Sequence, residues 1–221
     1  MIFNSLTFVV FFLGVLALHN LPLPWRAKKI NLLVASYFFY AVWNPPFVLL
    51  LVFSTALDWV AARRVDAAQT SGSRRVWLAV SLLGNLGPLA FFKYGDFALR
   101  NWQAALNSVG VQYQAPEWGI VLPVGISFYT FQTLSYTLDV YLRRSRPLTS
   151  FLDFALFVTF FPQLVAGPIE RARNLLPQFD RVAPFDAALA RDGGRQMLWG
   201  FFKKMVVADN AARIADGIFD A

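Results

Sequence analysis

The chain has 221 residues, of which 57% are hydrophobic and only 15% are charged, and its mean hydropathy is +0.48. A soluble domain carries nearer a quarter charged residues, so the composition excludes an ordinary soluble protein and indicates a membrane protein. The absence of Cys and the presence of one His exclude disulfides, thiolate metal sites and His-rich metal sites. The net charge of +7 does not indicate nucleic acid as a partner, because the basic residues fall between hydrophobic spans.

The first part of the chain predicts short apolar spans joined by basic loops. Residues 3–18 form the first span, which we expect to be retained rather than cleaved as a signal peptide. The basic residues at 26–29 predict a cytoplasmic loop and an N-terminus outside. Spans at 30–43 and 47–62 follow, separated by a turn that contains two prolines, and both are shorter than an ordinary spanning helix.

Asp58 is a charged residue near the end of the third span. Arg63 and Arg64 follow it closely, and Arg74 and Arg75 complete a second basic cluster. We expect Asp58 to form an ion pair at the cytoplasmic interface, close to Arg63 and Arg64.

A fourth span is predicted at residues 76–92, although two glycines and Pro88 interrupt it. Residues 96–110 are too polar to span, and their apolar side chains fit one broad helical face. This pattern predicts a separate helix lying in the membrane interface. Residues 111–118 are predicted as a loop.

Residues 121–144 combine an apolar character with an unusual number of polar groups. On a helix, an apolar stripe separates from a polar face. The stripe comprises Phe128, Phe131, Leu134, Leu138 and Leu142, and the polar face comprises Tyr129, Gln132, Thr133, Tyr136 and Asp139. Polar groups at membrane depth usually face a protein interior or a wet cavity, so this face predicts either a hydrophilic path or a polar seam between helices.

Residues 151–167 form the next apolar segment, which Pro162 breaks. A helix broken at membrane depth is tolerated where it lines a cavity or is buried in protein. Glu170, Arg171 and Arg173 follow at once. A full crossing would put these basic residues outside, so we favour a re-entrant segment that returns to the cytoplasm.

The last part of the chain predicts a linker at 177–184 and a helix pair at 185–219 broken at Gly193-Gly194. The predicted fold is therefore an all-α polytopic membrane protein with several short, broken or re-entrant helices and interfacial amphipathic helices.

Three ordered sequence blocks carry a resemblance to a known family. They are residues 122–132 with 135–136 and 139–141, residues 160–169, and residues 200–204 with Ala208-Asp209; residues 1–5, 35–40 and 92–94 add an N-terminal pattern. Together they resemble the membrane-bound O-acyltransferase (MBOAT) superfamily, in its bacterial alginate O-acetyltransferase, AlgI-like branch. The resemblance covers residues 1–221 and implies the N-terminal part of one MBOAT transmembrane domain.

The resemblance implies O-acetylation of an extracytoplasmic polysaccharide, alginate or a similar exopolysaccharide. It implies no bound cofactor, with acetyl-CoA or another acetyl carrier as the acyl donor substrate. The implied location is the bacterial inner membrane, and the implied partners are membrane lipid and polysaccharide-modification proteins that include a periplasmic acetyltransferase. The family's catalytic His would lie downstream, because His19 has the wrong position and setting, so we expect a fragment that is inactive alone, with no catalytic residue.

The candidates for lining the acyl path are Gln132, Tyr136, Asp139, Gln163 and Glu170. Structural roles weigh more than direct catalysis for each: Asp139 is spaced to pair with Arg143, and Glu170 with Arg173. The alternative function is a non-catalytic membrane transport or scaffold protein, which would explain the polar helix and the broken segment equally well.

Overall fold

The structure is a computed structural model that describes residues 3–114, 116, 119–165, 167–180, 182 and 184–219. Every regular element in these residues is helical, which confirms the all-α class. Some predicted features fall partly outside the described residues: Met1 and Ile2 of the N-terminal pattern, Ala115, Glu117 and Trp118 of the loop, Ala166 of the second block, and residues 181 and 183 of the linker.

The helices are, in chain order, α1 (Leu6–Asn20), α2 (Trp25–Ala41), α3 (Phe47–Ala67), α4 (Ser71–Ser108), α5 (Ile126–Tyr141), α6 (Phe151–Thr159), α7 (Phe161–Leu164), α8 (Ala172–Asp180), α9 (Ala187–Phe202) and α10 (Asp209–Phe219). A π-helical segment, Lys203–Ala208, joins α9 to α10. The chain divides into two compact units, residues 1–25 with 182–221 and residues 26–181.

Side-chain caps mark where several helices begin. The Ser5 hydroxyl accepts a hydrogen bond from the Phe8 N–H at the start of α1. The Thr70 hydroxyl accepts a hydrogen bond from the Ser73 N–H at the start of α4. The Ser150 hydroxyl accepts one from the Asp153 N–H at the start of α6. Such caps satisfy backbone donors that have no partner inside the helix, so short polar residues before apolar runs set these boundaries.

Helix α4 corrects the prediction of a span followed by a separate interfacial helix. It runs through both predicted elements as a single helix of 38 residues, with Pro88 inside it. Proline removes one helical hydrogen bond, but the residues on either side continue the helix. Helix α3 is also longer than predicted, at 21 residues, and so reaches the length of an ordinary spanning helix.

The C-terminal elements correct two further predictions. Gly193 and Gly194 lie inside α9, and the departure from α-helix geometry comes later, at Lys203–Ala208. Glycine weakens a helix by about 1 kcal/mol but does not end it. Pro177, predicted to begin a linker, lies inside α8, where Phe179 packs edge-on against Phe160 with ring centroids 5.5 Å apart.

In the unit of residues 26–181, several helix ends meet at one place. The Lys29 Nζ near the start of α2 lies 2.6 Å from Asp153 Oδ1 at the start of α6. Arg74, at the start of α4, donates a hydrogen bond to the Tyr141 carbonyl at the end of α5. We call the end of the unit that is marked by Lys29, Asp153, Arg74 and Tyr141 the basic end. The predicted second and third basic clusters therefore lie together.

The opposite end of this unit is marked by Tyr40 at the end of α2. Its hydroxyl donates a hydrogen bond to the Val124 carbonyl, just before α5, over 3.0 Å. Helices α3 and α5 therefore run toward the basic end, whereas α2 and α4 run away from it. This alternation matches the directions predicted from the basic loops.

Residues 151–180 leave the basic end and return to it. Asp153 and Asp180 lie 2.6 Å and 3.9 Å from the same Lys29 Nζ. Between them the chain reaches the start of α5, where a Cβ on Gly125 would lie only 2.9 Å from the Leu164 carbonyl oxygen. This out-and-back course agrees with the predicted re-entrant segment.

Candidate functional site

Helix α5 places its two predicted faces in different surroundings. Four of the five polar-face residues, Tyr129, Gln132, Thr133 and Tyr136, are buried. Phe128, Phe131, Leu138 and Leu142 of the apolar stripe are exposed, whereas Leu134 is buried. Hydrophilic side chains thus point into the unit, and most of the apolar stripe points out, as expected for a helix whose surroundings are lipid.

The broken segment between α6 and α7 lies against this polar face. Phe160 interrupts the helix with a ψ of 111°, and Pro162 lies in the first turn of α7, where its missing N–H is not needed. Two side chains satisfy backbone groups near the break. Gln132 Nε2 donates to the Phe157 carbonyl, and the Phe161 N–H donates to Ser36 Oγ over 3.1 Å.

Gln163 connects the break to the polar face of α5. Its Nε2 lies 3.3 Å from Gln132 Oε1 and 3.0 Å from the Pro168 carbonyl oxygen. The structure therefore brings these two predicted site residues together at the point where the helix is interrupted. Sequence reasoning missed Ser36, which lies in a different helix and supports the same break.

Tyr136 lies further along the same face. Its hydroxyl accepts a hydrogen bond from the Leu148 N–H over 2.7 Å. Its ring packs on Phe154 with centroids 4.6 Å apart. The residue therefore fixes the segment between α5 and α6 against the core.

Asp139 and Glu170 do not form the ion pairs expected from their spacing. Asp139 Oδ1 pairs with Arg171 Nη1 at 3.3 Å, because Arg143 lies beyond the helix end, with a φ of 58°, and is no longer one turn away. Glu170 precedes α8 and accepts a hydrogen bond from Asn174 Nδ2 over 3.3 Å. A role for the candidate residues along an acyl path stays a prediction.

Asp58 lies in a polar network that the sequence analysis missed, so the predicted interfacial ion pair is wrong. Its carboxylate is fully buried and accepts hydrogen bonds from Ser81, from Asn85 Nδ2 at 2.8 Å and from Thr137 at 3.1 Å. The hydroxyl of Ser54 donates to the Asn85 amide oxygen. The network joins α3, α4 and α5.

The arginines predicted to pair with Asp58 have other neighbours. The Arg63 guanidinium lies over the Trp59 ring at 4.7 Å, and that of Arg64 lies over Trp77 at 5.6 Å. A signal for the network was present in the sequence. Polar residues recur at four-residue spacing in three apolar helices, which places each pair on one helix face: Ser54 with Asp58, Ser81 with Asn85, and Thr133 with Thr137.

Within the part of the chain that the structure describes, no group of three or more His, Cys, Asp or Glu side chains is placed to hold a metal ion. His19, the single histidine of the chain, packs edge-on against Trp25 with ring centroids 5.7 Å apart.

Helix α4 is the one helix among the described residues that is both long and apolar enough to cross a bilayer. Only 11% of the apolar stretch within this helix is buried, whereas the core helix of a soluble protein is mostly buried. With the outward apolar stripe of α5 and the buried polar contacts, these features define an all-α protein of the membrane type.

Similarity to named proteins then identifies which kind of membrane protein the chain resembles. The chain is 39% identical over 99% of its length to a probable alginate O-acetylase AlgI of Azotobacter vinelandii and 38% identical to that of Pseudomonas aeruginosa. It is 34% identical over its whole length to a peptidoglycan O-acetyltransferase of Helicobacter pylori. The resemblance to the AlgI-like branch is therefore confirmed along nearly the whole chain.

The chain spans less than half the length of these relatives, covering 44%, 42% and 47% of them, and it corresponds to their N-terminal portion. No family model matches the chain. No solved structure matches it either.

Proposed function

We propose that this chain forms the N-terminal part of a membrane O-acetyltransferase that acts on an extracytoplasmic polysaccharide, either alginate or a similar exopolysaccharide. The similarity to named O-acetyltransferases over at least 99% of the chain carries the proposal. The buried polar face of α5, packed against a broken helix, supports it because such irregular backbone is tolerated where it is buried in protein or lines a cavity.

In this proposal the chain supplies part of the wall along which the acetyl group passes. Gln132 and Gln163 at the break, with Tyr136 and Asp139 toward the basic end and Glu170 beyond α7, would border that path. The donor would be acetyl-CoA or another acetyl carrier. A general base must activate the acceptor hydroxyl, and we place that base in the part of the relatives that lies beyond these 221 residues.

The same proposal sets the location and partners. We place the protein in the bacterial inner membrane as a multi-pass protein, with the basic end in the cytoplasm and the N-terminus in the periplasm. Polysaccharide-modification proteins, including a periplasmic acetyltransferase, would take part in the reaction, and nucleic acid would not.

The first test compares cells that carry the full gene with cells whose gene is cut after Ala221. We expect the secreted polysaccharide to keep its acetyl groups only with the full gene, because the base lies downstream. Equal acetylation in both would show that the base lies within this chain. If deleting the gene lowers polysaccharide export and leaves acetyl content unchanged, the transport alternative is correct instead.

The second test is Asp139→Asn in the full gene. The side chain of Asp139 is 14% exposed and its partner Arg171 is 49% exposed, so losing the pair should cost at most about 1 kcal/mol of stability. We therefore expect lower acetylation with unchanged membrane insertion. Asp216→Asn, at an exposed position in α10, is the matched control. Loss of folded protein in Asp139→Asn alone would assign Asp139 a structural role.

A further inference from the structure

The basic end contains a cavity of about 370 Å³ with an unusual lining. It is lined by Asp66, Ala68, Arg74, Arg143, Arg144, Ser145 and Arg146. We call it the arginine cavity. Four cations thus meet a single carboxylate, and among the described residues none of the four forms an ion pair within 4.0 Å.

Arg74 is the part of the lining that the fold holds in place. Its guanidinium donates to the Tyr141 carbonyl and lies 5.2 Å from the centre of the Tyr141 ring. Its Nε is buried without a hydrogen-bond partner among the described residues. A buried cationic donor without an acceptor is costly, so an anion that completes its hydrogen bonds would be stabilised there.

The end of α5 presents the neighbouring arginines. The Arg143 N–H donates to the Val140 carbonyl over 3.0 Å, and the Arg144 N–H donates to the Asp139 carbonyl over 2.8 Å. This hydrogen-bond pair is the Schellman motif, in which the residue after the helix takes a left-handed conformation and is usually Gly. Here that residue is Arg143, with a φ of 58°.

A non-glycine residue in the left-handed region is strained, because its Cβ lies too close to the following carbonyl oxygen. The chain therefore places a cation at the rim of the cavity in a conformation that glycine would adopt more easily. Helix-end stability does not require that arginine, since Gly would make the same backbone bonds.

We propose that the arginine cavity is a binding site for a phosphate group, carried either by an anionic lipid headgroup or by a soluble phosphate ester. Arginine guanidinium groups match the geometry of phosphate oxygens through paired N–H donors. A cavity at the end of a helical membrane unit lies where headgroups and soluble phosphates are both within reach. None of the five candidate residues for the acyl path lines this cavity.

The test uses the protein purified in a neutral detergent, with two variants and a control. Arg143→Gly removes one cation and suits the left-handed backbone, so it should fold at least as well as the parent. Arg144→Gln removes a second cation. Arg75→Gln is the matched control, because Arg75 is exposed on the same turn of α4 as Arg74 and does not line the cavity.

Two arms distinguish the sources of phosphate. In the first, the rise in melting temperature caused by phosphatidylglycerol added to the detergent micelles is compared with the rise caused by phosphatidylcholine. In the second, the rise in melting temperature caused by inorganic pyrophosphate is measured. We expect each cavity variant to weaken binding about tenfold in at least one arm, since one charge-assisted hydrogen bond is worth roughly that factor, and the control to change it by less than about twofold.

An effect confined to the lipid arm identifies a lipid headgroup as the source of the phosphate. An effect in the pyrophosphate arm identifies a soluble phosphate. If Arg143→Gly and Arg144→Gln bind like Arg75→Gln in both arms, or if all three variants lose binding equally, no phosphate site is present in the arginine cavity.

Discussion

Gly125 occupies a position where the turn before α5 meets the end of the broken segment, so replacing it with Ala should disturb both. Its φ is 75°, in the left-handed region, and a Cβ there would lie 2.9 Å from the Leu164 carbonyl oxygen. That oxygen belongs to the backbone, so no side-chain rotation can relieve the contact.

The expected cost has two parts. The left-handed conformation costs an alanine about 1–2 kcal/mol. Forcing an extra methyl group against packed backbone costs about 1–3 kcal/mol more. Gly125→Ala should therefore lower the free energy of unfolding by about 2–5 kcal/mol.

Alanine substitutions at two other glycines measure the conformational cost without the steric contact, and the effect of an added methyl group with neither. Gly110 has a φ of 85° and no atom within 4 Å of an added Cβ, so Gly110→Ala should show the conformational cost alone, about 1–2 kcal/mol. Gly87 is helical and equally open, so Gly87→Ala should be neutral or stabilising by up to about 1 kcal/mol. Unfolding by sodium dodecyl sulphate in mixed micelles, followed by circular dichroism, measures all three.

The ordering of the three variants decides the outcome. If Gly125→Ala lowers the free energy of unfolding by no more than Gly110→Ala does, the backbone at Leu164 is not in close contact with the start of α5. The out-and-back course of residues 151–180 would then lose its contact at the far end.

Ser81→Ala should lower the free energy of unfolding by about 1 kcal/mol, within the range of interhelical hydrogen bonds in membranes. Thr55→Val is its control, because among the described residues the Thr55 hydroxyl donates to the Leu51 carbonyl of its own helix. If both variants lower the free energy of unfolding equally, the bond from Ser81 to Asp58 adds nothing between helices. Lys29→Met should expose residues 151–180 to limited proteolysis, since Lys29 holds Asp153 at 2.6 Å. An unchanged cleavage pattern would mean that packing alone holds this segment.

Features that repeat along one helix could be predicted from the sequence. The two faces of α5 follow from side-chain spacing alone, because a helix places residues three and four apart on one side. Pro162 indicates the nearby interruption because proline cannot donate a backbone hydrogen bond, although Pro88 leaves α4 unbroken. Both predictions agree with the burial of Gln132 and the backbone of Phe160.

Features that depend on partners in other helices could not be predicted. Sequence proximity predicts that Asp58 pairs near Arg63 and Arg64, but its partners come from α4 and α5 and include Thr137, 79 positions away. Helical spacing predicts that Asp139 pairs with Arg143, and that spacing fails because the backbone leaves the helix before Arg143. Local spacing gives the face of a residue, whereas its partner depends on the packing of whole helices.

The hydrogen bonds that each candidate residue already makes indicate which of them can still bind a substrate. Gln132 already holds the Phe157 carbonyl and accepts from Gln163, so much of its amide is committed to the broken helix. Tyr136 accepts from the Leu148 N–H and is almost fully buried. Asp139 uses one carboxylate oxygen for Arg171 and is partly exposed. A carboxylate has two oxygens that accept hydrogen bonds, so Asp139 is the candidate whose replacement separates a role in acetyl transfer from a role in folding.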